Sequence, residues 1–264
     1  MKTLLVFSGG GLPGLDIHAG IGMALSEFGV RPDEIHGTSA GAIYGGLFAH
    51  HAFSGIPPAN IIYDLVDDDA RDTRFLYRSR FRHVNHMMHG KKMAALVARH
   101  LPETFEELPC KLFTYAVEGG SGRLVPFGGG DLRRSVRASA SIRGMFPPVA
   151  FEMPEYTKYY SDGGTKANVP LPVYWREFDH VIICVATQPT SYQGSGLIFN
   201  FLLSVHELME AQVDKIIEET FGDPRVTIIR PPVDGKTGTM RFNHDLIGIA
   251  YRHARKELDR VWPY

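Results

Sequence analysis

Thr3-Leu4-Leu5-Val6-Phe7-Ser8-Gly9-Gly10-Gly11-Leu12-Pro13-Gly14 starts as a short apolar run and ends in glycines. An apolar run closed by a glycine turn is the form of a strand buried within a parallel sheet. Working outward, apolar residues at 17, 21, 25 and 28 fall on one helical face, and Gly29 supplies a stop, so a helix is expected from Leu15 to Phe28. Glu34-Ile35-His36 then leads into Gly37, and the small residues from Ala40 to Ala49 read as a tightly packed helix. Strand, glycine loop, helix, strand, turn, helix is the order of an α/β fold with a parallel sheet.

Further along, Lys111 to Val117 and Arg123 to Phe127 read as strands joined by the Glu118–Gly122 hairpin signal. Asp131 to Ile142 reads as a helix and Val181 to Ala186 as a strand. Ser204-Val205-His206-Glu207 has the form of a capping box at the head of a long amphipathic helix. Val226 to Ile229 and Asp245 to Val261 give a last strand and helix. No repeat, low-complexity tract or linker breaks the chain, so one domain over residues 1–264 is expected.

The 264 residues carry 28 Lys+Arg against 29 Asp+Glu, a formal net charge of −1, and 44% are hydrophobic. That balance excludes a disordered chain and a whole-chain electrostatic grip on nucleic acid. Cys110 and Cys184 are too few for a disulfide framework or a four-thiolate zinc site and read as buried free thiols. No H-E-x-x-H or similar spacing occurs, so no metal is expected. No run approaches the roughly 18 apolar residues of a membrane span. The apolar run after Lys2 is shorter than a secretory core, which needs about 7–15 residues, and favours a first strand. A cytoplasmic protein, peripheral to membranes where its substrate requires it, is the expectation.

Three motifs carry chemistry. Gly37-Thr38-Ser39-Ala40-Gly41 fits G-x-S-x-G, in which a tight strand-to-helix turn lifts the serine hydroxyl clear of the sheet. Gly9 to Gly14 admits three readings: a plain glycine turn, a dinucleotide phosphate loop through Gly9, Gly11 and Gly14, or an oxyanion hole of bare amides. The dinucleotide reading lacks an acidic ribose partner at the end of a second strand, and a serine elbow downstream favours the oxyanion hole. Asp162-Gly163-Gly164 is either an Asp-Gly turn or a carboxylate held at a strand end as general base.

Together and in this order, these motifs resemble the patatin-like phospholipase family, with its G-G-G-x-[K/R]-G loop, G-x-S-x-G elbow and D-G-[GA] motif. The segment Val136 to Val149 is similar to that family's A-S-x-A-x-P-x-x-F-x-P block. The resemblance implies a three-layer α/β/α sandwich around a mainly parallel sheet, and a serine lipid acyl hydrolase of phospholipase A or lysophospholipase type. It makes Ser39 the nucleophile, Asp162 its base, and Gly9, Gly10, Gly11 and Ala40 the oxyanion hole. Gly37, Gly41, Gly163 and Gly164 support the elbow and the base. No cofactor is implied, and the partner is a lipid or ester substrate, free or at a membrane surface. Two positions depart from the pattern: Pro13 where Lys or Arg is usual, and Arg143 where proline is common.

Rival readings are an ordinary α/β-hydrolase with His244 or His253 as base, a lipid- or protein-binding module without turnover, and an acyltransferase using the same site. Residues 71–100 hold eight Lys/Arg against one Asp, with several aromatic and histidine residues. They read as a solvated basic surface, a cap meeting phosphate headgroups, or a protein-binding insertion. The apolar run Gly196 to Leu203 is a core segment or, with Phe146 and Pro147-Pro148, the lining of an acyl tunnel.

Overall fold

A computed structural model of the chain describes residues 1–51, 90–187, 197–233 and 245–262. Its strands are β1 (Thr3–Phe7), β2 (Glu34–Gly37), β3 (Lys111–Glu118), β4 (Leu124–Phe127), β5 (Val149–Glu152), β6 (Thr157–Asp162), β7 (His180–Cys184) and β8 (Val226–Ile229). Its helices are α1 (Gly11–Glu27), α2 (Ala40–His51), α3 (Lys91–His100), α4 (Leu132–Ser139), α5 (Leu197–Thr220) and α6 (Asp245–Val261).

The strands form one mixed sheet in the order β5-β6-β3-β2-β1-β7-β8, with β4 also paired to β3. The pairs from β3 through β2, β1 and β7 to β8 are parallel, whereas β3-β4, β3-β6 and β5-β6 are antiparallel. From β1 the chain first builds outward through β2 and β3 and later returns to β1's other side with β7. The end of β1 is therefore the topological switch point, where open α/β sheets form their ligand crevice.

Alternation along β1 divides the core. Leu5 and Phe7 face α1, α2 and α6 in the larger apolar cluster, which also takes in Ile21, Leu47, Leu246 and Ala250. Leu4 and Val6 face the opposite layer with Val169, Trp175, Phe178 and Val213 of α5. Two apolar layers, one on each face of the sheet, make the α/β/α sandwich.

Several boundaries differ from the sequence expectations. α1 begins at Gly11, not Leu15, because proline is tolerated in a first helical turn, where amides have no intrahelical acceptor. Ser204 to Glu207 lies inside α5: residues 197–203 contain neither glycine nor proline, and the helix continues back to Leu197. A complete capping box instead joins Thr104 and Glu107. Asp131 caps α4 through the Arg134 amide at 2.8 Å, and that helix ends at Ser139, short of Ile142. Cys184 is buried, but Cys110 is only half-buried. Among the described residues, no helix is long and apolar enough to cross a membrane.

Candidate active site

β2 ends in the elbow. Ser39 has φ 56°, the one positive value outside glycine among the described residues. That left-handed conformation is costly for a serine, and such strain is typically held at functional positions by surrounding structure. Here the restraint is close packing: a Cβ on Gly41 would stand 2.2 Å from the Phe7 carbonyl oxygen, and one on Gly37 would stand 2.3 Å from the Gly41 oxygen. No side chain fits at either position. The amides of Gly41, Ala42 and Ile43 are taken by the carbonyls of Thr38 and Ser39, while Ala40 opens α2.

The glycine loop stands beside the elbow. A Cβ on Gly9 would lie 3.5 Å from Ser39 Cβ. Gly11, at φ 65°, turns the chain from the loop into α1, whose first amides have no intrahelical acceptor. Pro13 is buried in this first turn, where its missing N–H removes nothing the helix needs. The loop's carbonyls are anchored inward. His18 Nε2 donates to Ser8 O at 2.8 Å, and Ser8 Oγ donates to Gly9 O at 2.8 Å. Burial pushes His18 down to about 4, so it holds this bond as a neutral ring.

Asp162 reaches the same place through strand register. Gly37 pairs with Thr114 on β3, and Asp162 pairs with Ala116 two residues further on. The residue two beyond Gly37 is Ser39, so the elbow and the carboxylate arrive at the same height on either side of β3. The segment after α4 ties them together: Ser39 N–H donates to Ser139 Oγ at 3.0 Å, and Asp162 N–H donates to the Ser141 carbonyl at 2.8 Å. Arg143 Nε donates to Ser161 Oγ at 2.7 Å, so the departure at this position braces the strand that carries Asp162.

The Asp162 carboxyl is buried. Oδ1 accepts the Gly164 N–H at 2.7 Å, whereas Oδ2 has no hydrogen bond of regular geometry. Burial pushes the carboxyl up to about 6; donation from the nearby Ser39 hydroxyl and from the Gly164 amide opposes this only in part. The Ser39 hydroxyl thus stands near enough to the carboxyl to favour its charged form. Gly163 lets the turn pass the Tyr115 carbonyl, which a Cβ would meet at 2.3 Å.

Next to Ser39 lies a narrow cavity of about 40 Å³, lined by Gly11, Leu12, Leu15, Ile43, Leu96 and Phe146 among others. Its wall is almost wholly apolar. A family model for patatin-like phospholipase matches residues 5–175. The chain belongs to that family, one of carboxylic ester hydrolases.

This patatin-like chain is 30% identical over 193 residues to Uncharacterized NTE family protein MT2641 of Mycobacterium tuberculosis, covering 73% of this chain and 31% of that protein. It is 27% identical over 282 residues to Lysophospholipase nte1 of Neurospora crassa, covering 97% of this chain and 18% of that protein. The chain thus spans less than a third of the length of these relatives. Among solved structures, VipD from Legionella pneumophila aligns with a TM-score of 0.48 at 14% identity, over 98% of this chain and 67% of that one.

The remaining expectations divide. His253 lies on α6, outside the residues that line the Ser39 cavity, and His244 lies outside the described residues. Residues 71–89 and Gly196 also lie outside them. Within 90–100, α3 turns Met93 and Leu96 into the cavity wall and leaves Lys91 and Arg99 exposed. Phe146 lines the cavity, whereas Pro147 and Pro148 do not. Sequence reasoning missed Ser139, His18, Asn168 and Thr187, the buried polar residues that hold the loop and elbow. Ser139 lies within the quoted A-S block, but its bond to Ser39 spans 100 positions and has no local signature.

Proposed function

We propose that this patatin-like chain cleaves carboxylic esters of lipids through an acyl-serine intermediate, with Ser39 and Asp162 as its dyad. The observation that carries the reading is a buried carboxyl displaced to about 6, beside a strained serine that lines an apolar cavity. A base with a pKa near the working pH combines adequate basicity with a large charged fraction.

In the first step Ser39 Oγ bonds to the substrate's carbonyl carbon while its proton passes to Asp162 Oδ2. The carbonyl oxygen becomes an oxyanion met by the amides of Gly10, Gly11 and Ala40, with Gly9 shaping the loop. Collapse breaks the bond to the alcohol, which leaves with the proton from Asp162. Water then attacks the acyl-serine, gives a proton to Asp162, and releases the fatty acid as Ser39 Oγ recovers that proton. The apolar lining suits the acyl chain. The lysophospholipase named among the relatives makes a lysophospholipid the first substrate to assay.

A fluorophosphonate probe followed by peptide mass mapping tests the reading. Label is expected on Ser39, with none on Ser39→Ala. Labelling of the wild type at another residue, or ester hydrolysis surviving in Ser39→Ala, would overturn it. An inert serine would favour the non-catalytic binding module.

A further inference from the structure

Besides Ser8 Oγ, a buried relay holds the Gly9 carbonyl. Thr187 Oγ1 donates to the Gly9 carbonyl at 2.9 Å. With its single proton so used, that hydroxyl receives a hydrogen bond from Asn168 Nδ2 at 2.7 Å. The bond fixes the orientation of the Asn168 amide, because a flip would set Oδ1 against the Met209 carbonyl, which now accepts from Nδ2 at 3.4 Å. Asn168 also accepts the Gly9 N–H on its own carbonyl at 2.9 Å. Its side-chain Oδ1, without a hydrogen-bond donor, is wedged between the two loops: a Cβ on Gly9 would stand 2.4 Å from it, and one on Gly164 would stand 3.6 Å away. The Asn168 N–H reaches Gln212 Oε1 on α5 at 2.6 Å, and Gln212 Nε2 returns to the Gly164 carbonyl at 3.1 Å. Asn168 and Thr187 are both buried.

In a trans peptide the carbonyl and the following N–H point in opposite directions. The Gly9 oxygen accepts from Ser8 Oγ and from Thr187 Oγ1, and fixing it between the two hydroxyls aims the Gly10 N–H away from both. We infer that Asn168 and Thr187 are positioning residues for ester hydrolysis, their relay to the Gly9 carbonyl setting the direction of the Gly10 amide that meets the oxyanion. Burying an asparagine and a threonine here carries a desolvation cost that an apolar pair of similar size would avoid. A directional demand is what the polar pair answers. The oxyanion exists only after attack, so the relay acts on the transition state and leaves the bound substrate unaffected.

The inference rests on the acyl-serine reading, and one set of variants separates the two. Thr187→Val keeps the shape and removes the hydroxyl. It is expected to lower kcat about 10–100-fold with KM within about twofold, somewhat less than removal of an oxyanion donor. Thr187→Ser restores the hydroxyl and is expected to return kcat to within about threefold of wild type. A long-chain alkyl trifluoromethyl ketone, whose hemiketal with Ser39 carries the oxyanion, should lose affinity by the same factor as kcat/KM. If Thr187→Val fails to fold, the Thr187→Ala and Thr187→Ser pair carries the same comparison. The inference is overturned if the hydroxyl-free variant keeps wild-type kcat, if KM rises while ketone affinity stands, or if Thr187→Ser does not rescue. Failure of wild-type Ser39 to take the fluorophosphonate label would instead overturn the acyl-serine reading.

Discussion

Two buried carboxylates flank the middle of the sheet, and their surroundings drive them in opposite directions. Glu34, on β2, has a side chain 9% exposed. It accepts from His36 Nε2 at 2.7 Å and from the Tyr174 hydroxyl at 2.5 Å. Burial pushes Glu34 up, but these donors more than offset it and the carboxyl ends below its usual range. His36, lowered mainly by burial, stays neutral; its Nδ1 meets the Tyr115 hydroxyl at 2.6 Å. Asp162 is buried more deeply, with one amide donor and the Ser39 hydroxyl against its desolvation, and it ends at about 6. The difference lies in donor supply together with depth, since Asp162 is the more deeply buried of the two. A structural carboxylate is surrounded by donors, whereas one suited to take a proton is left short of them.

The largest expected effect tests the undersupplied member. Asp162→Asn should lower ester hydrolysis by ~10⁴-fold while raising stability. The sign follows from the pKa. A group shifted from 3.8 in the unfolded chain to about 6 in the fold binds its proton more tightly when native, so stability falls as pH rises through that window. Above pH 6 the wild type carries the whole cost, on the order of 3 kcal/mol, which asparagine avoids. Thermal melts should show the variant more stable at pH 8 and little different at pH 4.

Glu34→Gln should do the reverse. Its folded pKa is depressed, so its contribution is present above the unfolded value and lost as pH falls through the folded one. Denaturant titration at neutral pH should show a loss of about 1.5–3 kcal/mol, the range for hydrogen bonds to a charged group. The loss should shrink in acid, and ester hydrolysis should remain within a few-fold. Equal loss of activity in both variants would break the distinction between the two carboxylates.

The smallest effect belongs to the elbow. Ser39→Ala and Ser39→Gly both lack the hydroxyl, but only glycine relaxes the left-handed backbone. Glycine should be the more stable of the two by about 1 kcal/mol, measured by urea unfolding. A more stable alanine variant would show that the elbow is not strained.

The ease of reading each part from sequence follows from where its information lies. β1, the glycine loop, the elbow and the Asp-Gly turn are local, because each shows its steric demand within a few residues. The mixed half of the sheet was less legible. β5 is only four residues long, and its pairing with β6 depends on the hairpin between them more than on a pattern within either strand. The Ser204 capping box misled because capping residues inside a continuous helix look the same as those at its start. The buried relay from Asn168 to Thr187, like the Ser139 brace, joins residues distant in the chain whose polar side chains would ordinarily suggest surface.

The pH dependence of kcat/KM tests the central claim most directly. With Asp162 as the base, hydrolysis should rise with pH through an ascending limb centred near 6, and that midpoint should be unchanged when His253 is replaced by glutamine. A rate that is flat from pH 5 to 7.5, or a limb that moves with the His253 substitution, would contradict the assignment of Asp162 as the group that takes the serine's proton.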